Sequence, residues 1–304
     1  MEWDNLRVFL ELARTERLME AAQRLDVSTS TISRRLRRLE AELGTQLFDR
    51  NSQGFALTLQ GEKLLHYAQE AEGVLSAAAD AVFGRNESLS GQVRIGATEG
   101  FGCFVLAPHL AHFCAHHPRI TVDLLPMPRF VSLSKREADA AVTIERPVHG
   151  SYVVSKLSDY KLKLYATADY LRAHAPIRTP ADLAQHPFIS YVDDLVFSAE
   201  LKYLRQVAPS VQAVFRSTSV VAQYAAVCRG RGLGILPCFL AQHSSDLVPV
   251  LDDTVTVLRT FWLVVPADRR NVARVRAVCA WLRDTVQSNR DFLMGDAAQM
   301  TYMA

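Results

Sequence analysis

Between Asp26 and Glu40 the chain carries no acidic residue. The same window holds Ser28, Thr29, Ser30, Thr31 and Ser33, interleaved with and followed by Ile32, Arg34, Arg35, Arg37 and Arg38. Hydroxyl groups reach base edges or phosphates, and guanidinium groups neutralise phosphates or bind guanine through two hydrogen bonds. The alternative is a solvated helix face with incidental arginines. Four arginines in five positions beside an acid-free window favour nucleic acid over that alternative. Placement carries this reading, because residues 1–58 hold nine Arg against nine acidic residues. The whole chain, with 34 Lys plus Arg against 32 Asp plus Glu and a net charge of +2, points to no partner.

A second group of residues suggests ligand chemistry. The β-type run Val93–Thr98 leads into Thr98-Glu99-Gly100-Phe101-Gly102, and a helix follows through Val105, Leu106, Leu110 and Phe113. A strand, a small polar turn and a helix start leave unpaired backbone N–H groups facing a ligand. Thr98 is the side chain best suited to such a site, while Glu99 beside it repels a carboxylate. Other patterns carry less. Gly230-Arg231-Gly232-Leu233-Gly234 precedes a strand instead of following one, which argues against a dinucleotide loop. His112 and His116 stand at i and i+4 without the glutamate of an HExxH frame, so no metal site is expected. Cys103, Cys114, Cys228, Cys238 and Cys279 form no CxxC and read as small core residues; Cys228 and Cys238 as a redox pair is the minor alternative. No G-x-S-x-G, phosphate loop or Cys/His nucleophile arrangement occurs, so neither an enzyme nor a bound cofactor is expected.

These residues need elements to position them. The 304 residues suit two or three domains, and 49% apolar with 22% charged residues is a globular composition. Leu6, Phe9, Leu10 and Ala13 mark one face of a first helix that Asp4 would cap. A second helix is expected over Leu18–Leu25, and a third from Thr29 with Ile32, Leu36 and Leu39 inward and Gly44 at its end. Two short helices about the break Asp26-Val27-Ser28 make a helix-turn-helix pattern. Asn51-Ser52-Gln53-Gly54 then reads as the turn of a small wing, with Arg50 at its base. After Thr58, Leu64, Ala68, Ala71, Leu75, Ala78 and Val82 repeat every 3.5 residues, which predicts a helix that pairs two chains.

Beyond residue 91, β-type runs alternate with helical segments, the pattern of an α/β domain. Strands are expected at Thr121–Leu125, Ala140–Ile144, Lys161–Ala166, Phe188–Tyr191, Ala213–Arg216 and Ile235-Leu236. Phe261–Val265 is expected to cross back to the first half of that domain, and the last residues read as a loose tail. The N-terminus has no signal-peptide pattern, and no run approaches the ~18 apolar residues of a membrane helix. A cytoplasmic protein with no membrane partner is the consistent expectation.

Taken together, AAQRLDVSTSTISRRLRRLEAELGTQLFDR, LTLQGEKLL, GQVRIGA, EADAAVTI and GRGLGILP resemble the LysR-type transcriptional regulators over nearly the whole chain. The resemblance implies a multidomain architecture. It consists of a winged helix-turn-helix over residues 1–58, a linker helix over 59–88 and an α/β effector domain over 91–290. That last domain would be periplasmic-binding-protein-like, with two subdomains. It implies a homo-oligomer, a dimer or a tetramer, that binds double-stranded promoter DNA, answers to a small-molecule effector and leaves RNA polymerase open as a further partner. Base contacts would fall on Thr29, Ser30, Ser33 and Arg34, and phosphate contacts on Arg35, Arg38 and Arg50, with Ser28 and Thr31 in the same surface. The effector cleft would use Thr98, Phe101, Ser132, Ser190, Tyr191, Thr218 and the segment from Gly234 to Pro237. Several positions depart from the family pattern: Glu16-Arg17 replaces a common Gly-Ser, Met19 replaces a small or hydroxyl residue, Thr29-Ser30 replaces Gln-Pro, and the wing lacks a second Arg. Base preference therefore does not transfer from other members.

Overall fold

The computed structural model describes residues 1–51, 54–82, 89–127, 133, 137–209, 211 and 213–302, without the side chains of residues 50, 51, 66, 70, 73, 76, 77 and 79–82. The chain forms two compact units. One is Met1–Ser88 with Ser132–Glu137 and Pro266–Ala273; the other is Leu89–Val131, Ala138–Val265 and Arg274–Ala304.

In the first unit, α1 (Trp3–Thr15), α2 (Leu18–Leu25) and α3 (Thr29–Leu43) close on Leu6, Phe9, Leu10, Ala21, Leu36 and Leu39. Each large apolar side chain buried there contributes roughly 1.5–3 kcal/mol. Asp4 does not cap α1, because the helix already starts at Trp3 with Glu2 at the cap position. Asp4 lies within the first turn and pairs with Arg35 at 3.2 Å instead. Strands β1 (Phe48–Asn51) and β2 (Gly54–Leu57) pair antiparallel as the wing. Phe48 plugs it into the core against Phe9, with ring centroids 5.4 Å apart. Gly54 has φ 140°, and a Cβ there would collide with the Glu16 carbonyl oxygen. That oxygen accepts the Phe55 N–H at 2.9 Å, so the wing is pinned to the turn between α1 and α2.

Thr58 accepts the Gly61 N–H at 3.0 Å and opens α4 (Leu59–Val82). Only the first half of its repeat is covered: Leu64, Leu65 and Ala68 join the core, whereas Val74 and Leu75 are 68% and 48% exposed and Ala78 is exposed. The side chain of Val82 lies outside the described residues. Arg14, buried on α1, donates to Glu11 at 3.0 Å and to Glu72 of α4. An arginine so enclosed is tolerated because carboxylates compensate its lost hydration.

The second unit is built on one mixed sheet with two subdomains. In the first, β3 (Gly91–Thr98) lies between β4 (Ile120–Met127) and β5 (Ala140–Thr143), all parallel. The chain leaves β3 through α5 (Glu99–Phe101), a π-helical stretch Gly102–Leu106 and α6 (Ala107–His116). The strand expected over Lys161–Ala166 is much longer, β6 (Tyr152–Thr167). It is followed by α7 (Ala168–Ala173), β7 (Phe188–Ser190), α8 (Leu204–Val207) and β8 (Ala213–Arg216). Then come α9 (Val220–Val227), β9 (Leu233–Pro237), α10 (Cys238–Ala241) and β10 (Leu247–Val250). The chain returns on β11 (Thr256–Pro266), antiparallel to β5, and closes with α11 (Ala273–Ser288) and α12 (Arg290–Met294). The order β4-β3-β5-β11-β6-β9-β7-β8 makes the long strands β6 and β11 the joint between the subdomains.

The expected loose tail is instead docked up to Tyr302. The Asn289 side chain accepts the Thr301 N–H at 2.7 Å and donates to the Thr301 carbonyl at 2.9 Å. The Tyr302 ring lies 4.7 Å from that of His109, which is buried on α6. Polarity of the tail hid this, because the partners sit on other elements. Burial holds His109 below its ordinary pKa, with His112 adding repulsion, and burial likewise lowers His186, 2.9 Å from the Tyr170 hydroxyl. Both groups resist protonation only when folded. Their stabilisation is thus complete above the unfolded pKa of about 6.5 and is lost as pH falls toward the lower folded values. Thermal melts from pH 7.5 to 5 should show Tm falling below pH 6.5, less steeply in His109→Phe.

Candidate nucleic-acid face and ligand cleft

Ser28 stands at the N-cap of α3, accepts the Thr31 N–H at 3.2 Å, and lies 2.8 Å from the Ser30 hydroxyl and 2.9 Å from that of Thr31. This network holds the first turn in one arrangement, with Thr29 and Ser30 exposed and Thr31 and Ser33 half-buried. One turn on, Arg34 is exposed and no described carboxylate pairs with it. Ser30, Thr31, Arg34 and Arg37 line one shallow depression. Arg37 joins it by its i+3 spacing from Arg34. That spacing is readable in the sequence, where Arg37 stands in the arginine-rich window without a base or phosphate contact assigned to it. Its Nε donates to the Ser33 carbonyl at 3.2 Å. Arg35 and Arg38 are engaged inside the unit, Arg35 with Asp4 and Arg38 with Glu2 at 2.7 Å and Glu42 at 3.4 Å. Arg50 lies in β1 opposite Phe55, and its side chain is outside the described residues.

In the second unit, the carboxyl end of β3, the amino end of α9 and the crossing strands meet at a cleft of about 40 Å³. Thr98, Phe101, Tyr191 and Thr218 line it, as expected from the sequence. Ser190 and Gly234 do not. Ser190 is buried, with its carbonyl accepting the Ser217 N–H at 3.0 Å, and Gly234 lies against Val227. Pro237 is the point where that strand reaches the cavity, and Ser132 lies outside the described residues. Seven of the cavity's seventeen described lining residues are aromatic. Phe261 stacks on Tyr160 at 4.1 Å and sits 4.2 Å from Phe101, with Phe239 edge-on to Phe101. Tyr160 and Phe261 on strands, Phe239 on α10 and Tyr203 before α8 escaped sequence reasoning because large apolar residues there read as core, which they also are. Ser219 caps α9, accepting the Ala222 N–H at 3.0 Å, and its hydroxyl donates to Glu99 Oε1 at 3.0 Å. Burial and the nearby Glu99 raise the Tyr191 phenol well above its ordinary range, so it stays a neutral hydrogen-bonding group. Among the described residues no group of three or more His, Cys, Asp or Glu could hold a metal ion.

Residues 3–62 match the bacterial regulatory helix-turn-helix protein, lysR family, and residues 86–287 match the LysR substrate binding domain. The chain belongs to the LysR family of transcriptional regulators. This regulator is 31% identical over 287 residues to the HTH-type transcriptional regulator PtxR of Pseudomonas aeruginosa, covering 92% of each chain. It is 28% identical to the Mau operon transcriptional activator of Paracoccus denitrificans, over 98% of this chain and 100% of that protein. Among solved structures, a full-length OxyR variant from Pseudomonas aeruginosa has the same fold, with a TM-score of 0.74 at 20% identity over 100% of this chain and 99% of that one. So does CrgA, a LysR-type regulator from Neisseria meningitidis, with a TM-score of 0.59 at 21% identity over 94% and 99%. The regulator is thus a DNA-binding protein with an N-terminal helix-turn-helix and a C-terminal effector domain. No helix among its described residues is long and apolar enough to cross a membrane.

Proposed function

We propose that this regulator works in the cytoplasm, not as an enzyme, in three parts. Residues 1–58 read an operator, 59–88 pair chains, and 91–290 sense a small-molecule effector. The observation that carries the reading is the exposed hydroxyl and arginine face of α3, where Arg34 has no described ion-pair partner. Thr29, Ser30, Ser33 and Arg34 address base edges in the major groove, and Arg35, Arg38 and Arg50 address phosphates. The uncovered apolar residues of α4, Val74 and Leu75, support a homo-oligomer, since one chain leaves them in water. Support for the effector site comes from Thr98, Phe101, Tyr191 and Thr218 sharing one cavity.

Selection of genomic fragments with the purified protein, followed by footprinting, tests this. The full chain is expected to retain a small set of fragments with a discrete protected site, and a chain lacking residues 1–88 to retain none. Equal retention by the truncated chain would refute the assignment of DNA reading to α3 and its wing.

A further inference from the structure

Glu99 is the one charged group among the described residues that line the cleft. Its Oε1 is occupied by Ser219, but its Oε2 is buried and accepts from no described residue. A carboxylate oxygen shut away from water without a donor is costly, and native structures keep few of them. Phe101, Tyr160 and Phe261 line the same cavity, their rings packed against one another. Aromatic rings of this kind favour the alkyl carbons of an organic cation over an anion.

We propose that the effector presents a primary ammonium group to Glu99, its apolar part lying against the aromatic wall. The proposal rests on the reading of this cleft as the effector site and specifies what enters it. An ammonium supplies the donor that Oε2 lacks and the opposite charge, while the rings hold the carbon next to nitrogen. An anionic effector finds no Lys, Arg or His among the described lining residues, and it meets Glu99 at close range. The start of the helix beyond β3 offers little compensation, because that helix has only three residues and one of them is Glu99. A volume of about 40 Å³ admits a small head group, at roughly 10–15 Å³ for each water-sized probe. The remainder of the molecule requires the subdomains to part.

The test uses the full-length protein and four probes matched in pairs: butylammonium with butyrate, and phenethylammonium with phenylacetate. Calorimetric titration and thermal shift are expected to show saturable binding of the ammonium ions and none of the carboxylates. Glu99→Gln should weaken ammonium binding at least about tenfold, the loss expected for one charge-assisted hydrogen bond. Thr218→Trp, which fills the cleft, should abolish it. Binding of the carboxylates alone, or equal ammonium binding by Glu99→Gln, overturns the proposal. If carboxylate binding is lost in Thr218→Trp, the cleft keeps its role and only the cationic class fails. Binding that survives Thr218→Trp removes both readings. Silence of all four probes on the wild-type chain also overturns the proposal. Should Glu99→Gln fail to fold, the wild-type contrast between the paired probes decides alone.

Discussion

Arg34→Ala is expected to weaken binding to the selected operator about 10- to 100-fold, the 1–3 kcal/mol that one bidentate contact to guanine contributes. Binding to random duplex DNA should change far less. The argument is geometric. Arg34 is exposed one turn into α3, beside Ser30 and Thr31, and no described acid holds it. Nothing in the free protein needs it there, so its removal should leave thermal stability unchanged within about 0.5 kcal/mol. Anisotropy titrations with operator and random duplex at two salt concentrations separate the possibilities. A base contact lowers the specific affinity and leaves the salt slope alone. A phosphate contact weakens both duplexes and reduces the slope. A change under about twofold on the operator would mean that Arg34 is only a solvated residue.

The second large effect concerns Gly61→Ala. By helix propensity alone, alanine inside α4 should stabilise the protein by about 1 kcal/mol. Packing opposes this. A Cβ at position 61 would overlap the Leu47 carbonyl oxygen and approach Leu57 Cδ2 at 2.9 Å. The Leu47 oxygen cannot turn aside freely, because it accepts the Thr58 N–H at 3.0 Å at the start of the same helix. A backbone collision of this kind costs more than propensity returns, so a net loss of about 2–4 kcal/mol is expected. Urea unfolding followed by circular dichroism would record it as a lower midpoint at unchanged slope. A raised midpoint would show that α4 shifts away from the wing at little cost.

The sequence reading was most accurate where the determinants are local. Helical spacing located Ile32, Leu36 and Leu39, and all three are buried in the first unit. Ser219 and Thr58 act as caps where hydroxyls precede apolar runs. Elements that depend on distant partners were less legible. The first half of β6 carries Ser155, Lys156, Ser158 and Asp159, which masks its strand character until β11 runs beside it. The tail looked unattached because its partners are not its sequence neighbours: Asn289 stands 12 residues before Thr301, and His109 lies far back on α6. In the cleft, Thr98 and Thr218 were visible as small polar residues at strand ends. Of the aromatic wall only Phe101 and Tyr191 were, since a buried phenylalanine looks the same in a core as in a pocket. Glu99 was noticed for its charge, but the missing donor at Oε2 is a property of three-dimensional placement alone.

With Arg35 and Arg38 addressing phosphates as proposed above, their pairing with Asp4, Glu2 and Glu42 would bear on how the protein searches DNA. Any sequence offers phosphates, so bare arginines would bind all of a genome with similar strength. Here carboxylates of the same fold compete with every phosphate for those two guanidinium groups. A random site must displace them and gains little. An operator that also engages Arg34 gains base contacts that no internal acid contests. Glu2, Asp4 and Glu42 thus weaken operator and random sites by a similar factor. The ratio between them is unchanged, but random sites empty first while base contacts keep the operator filled.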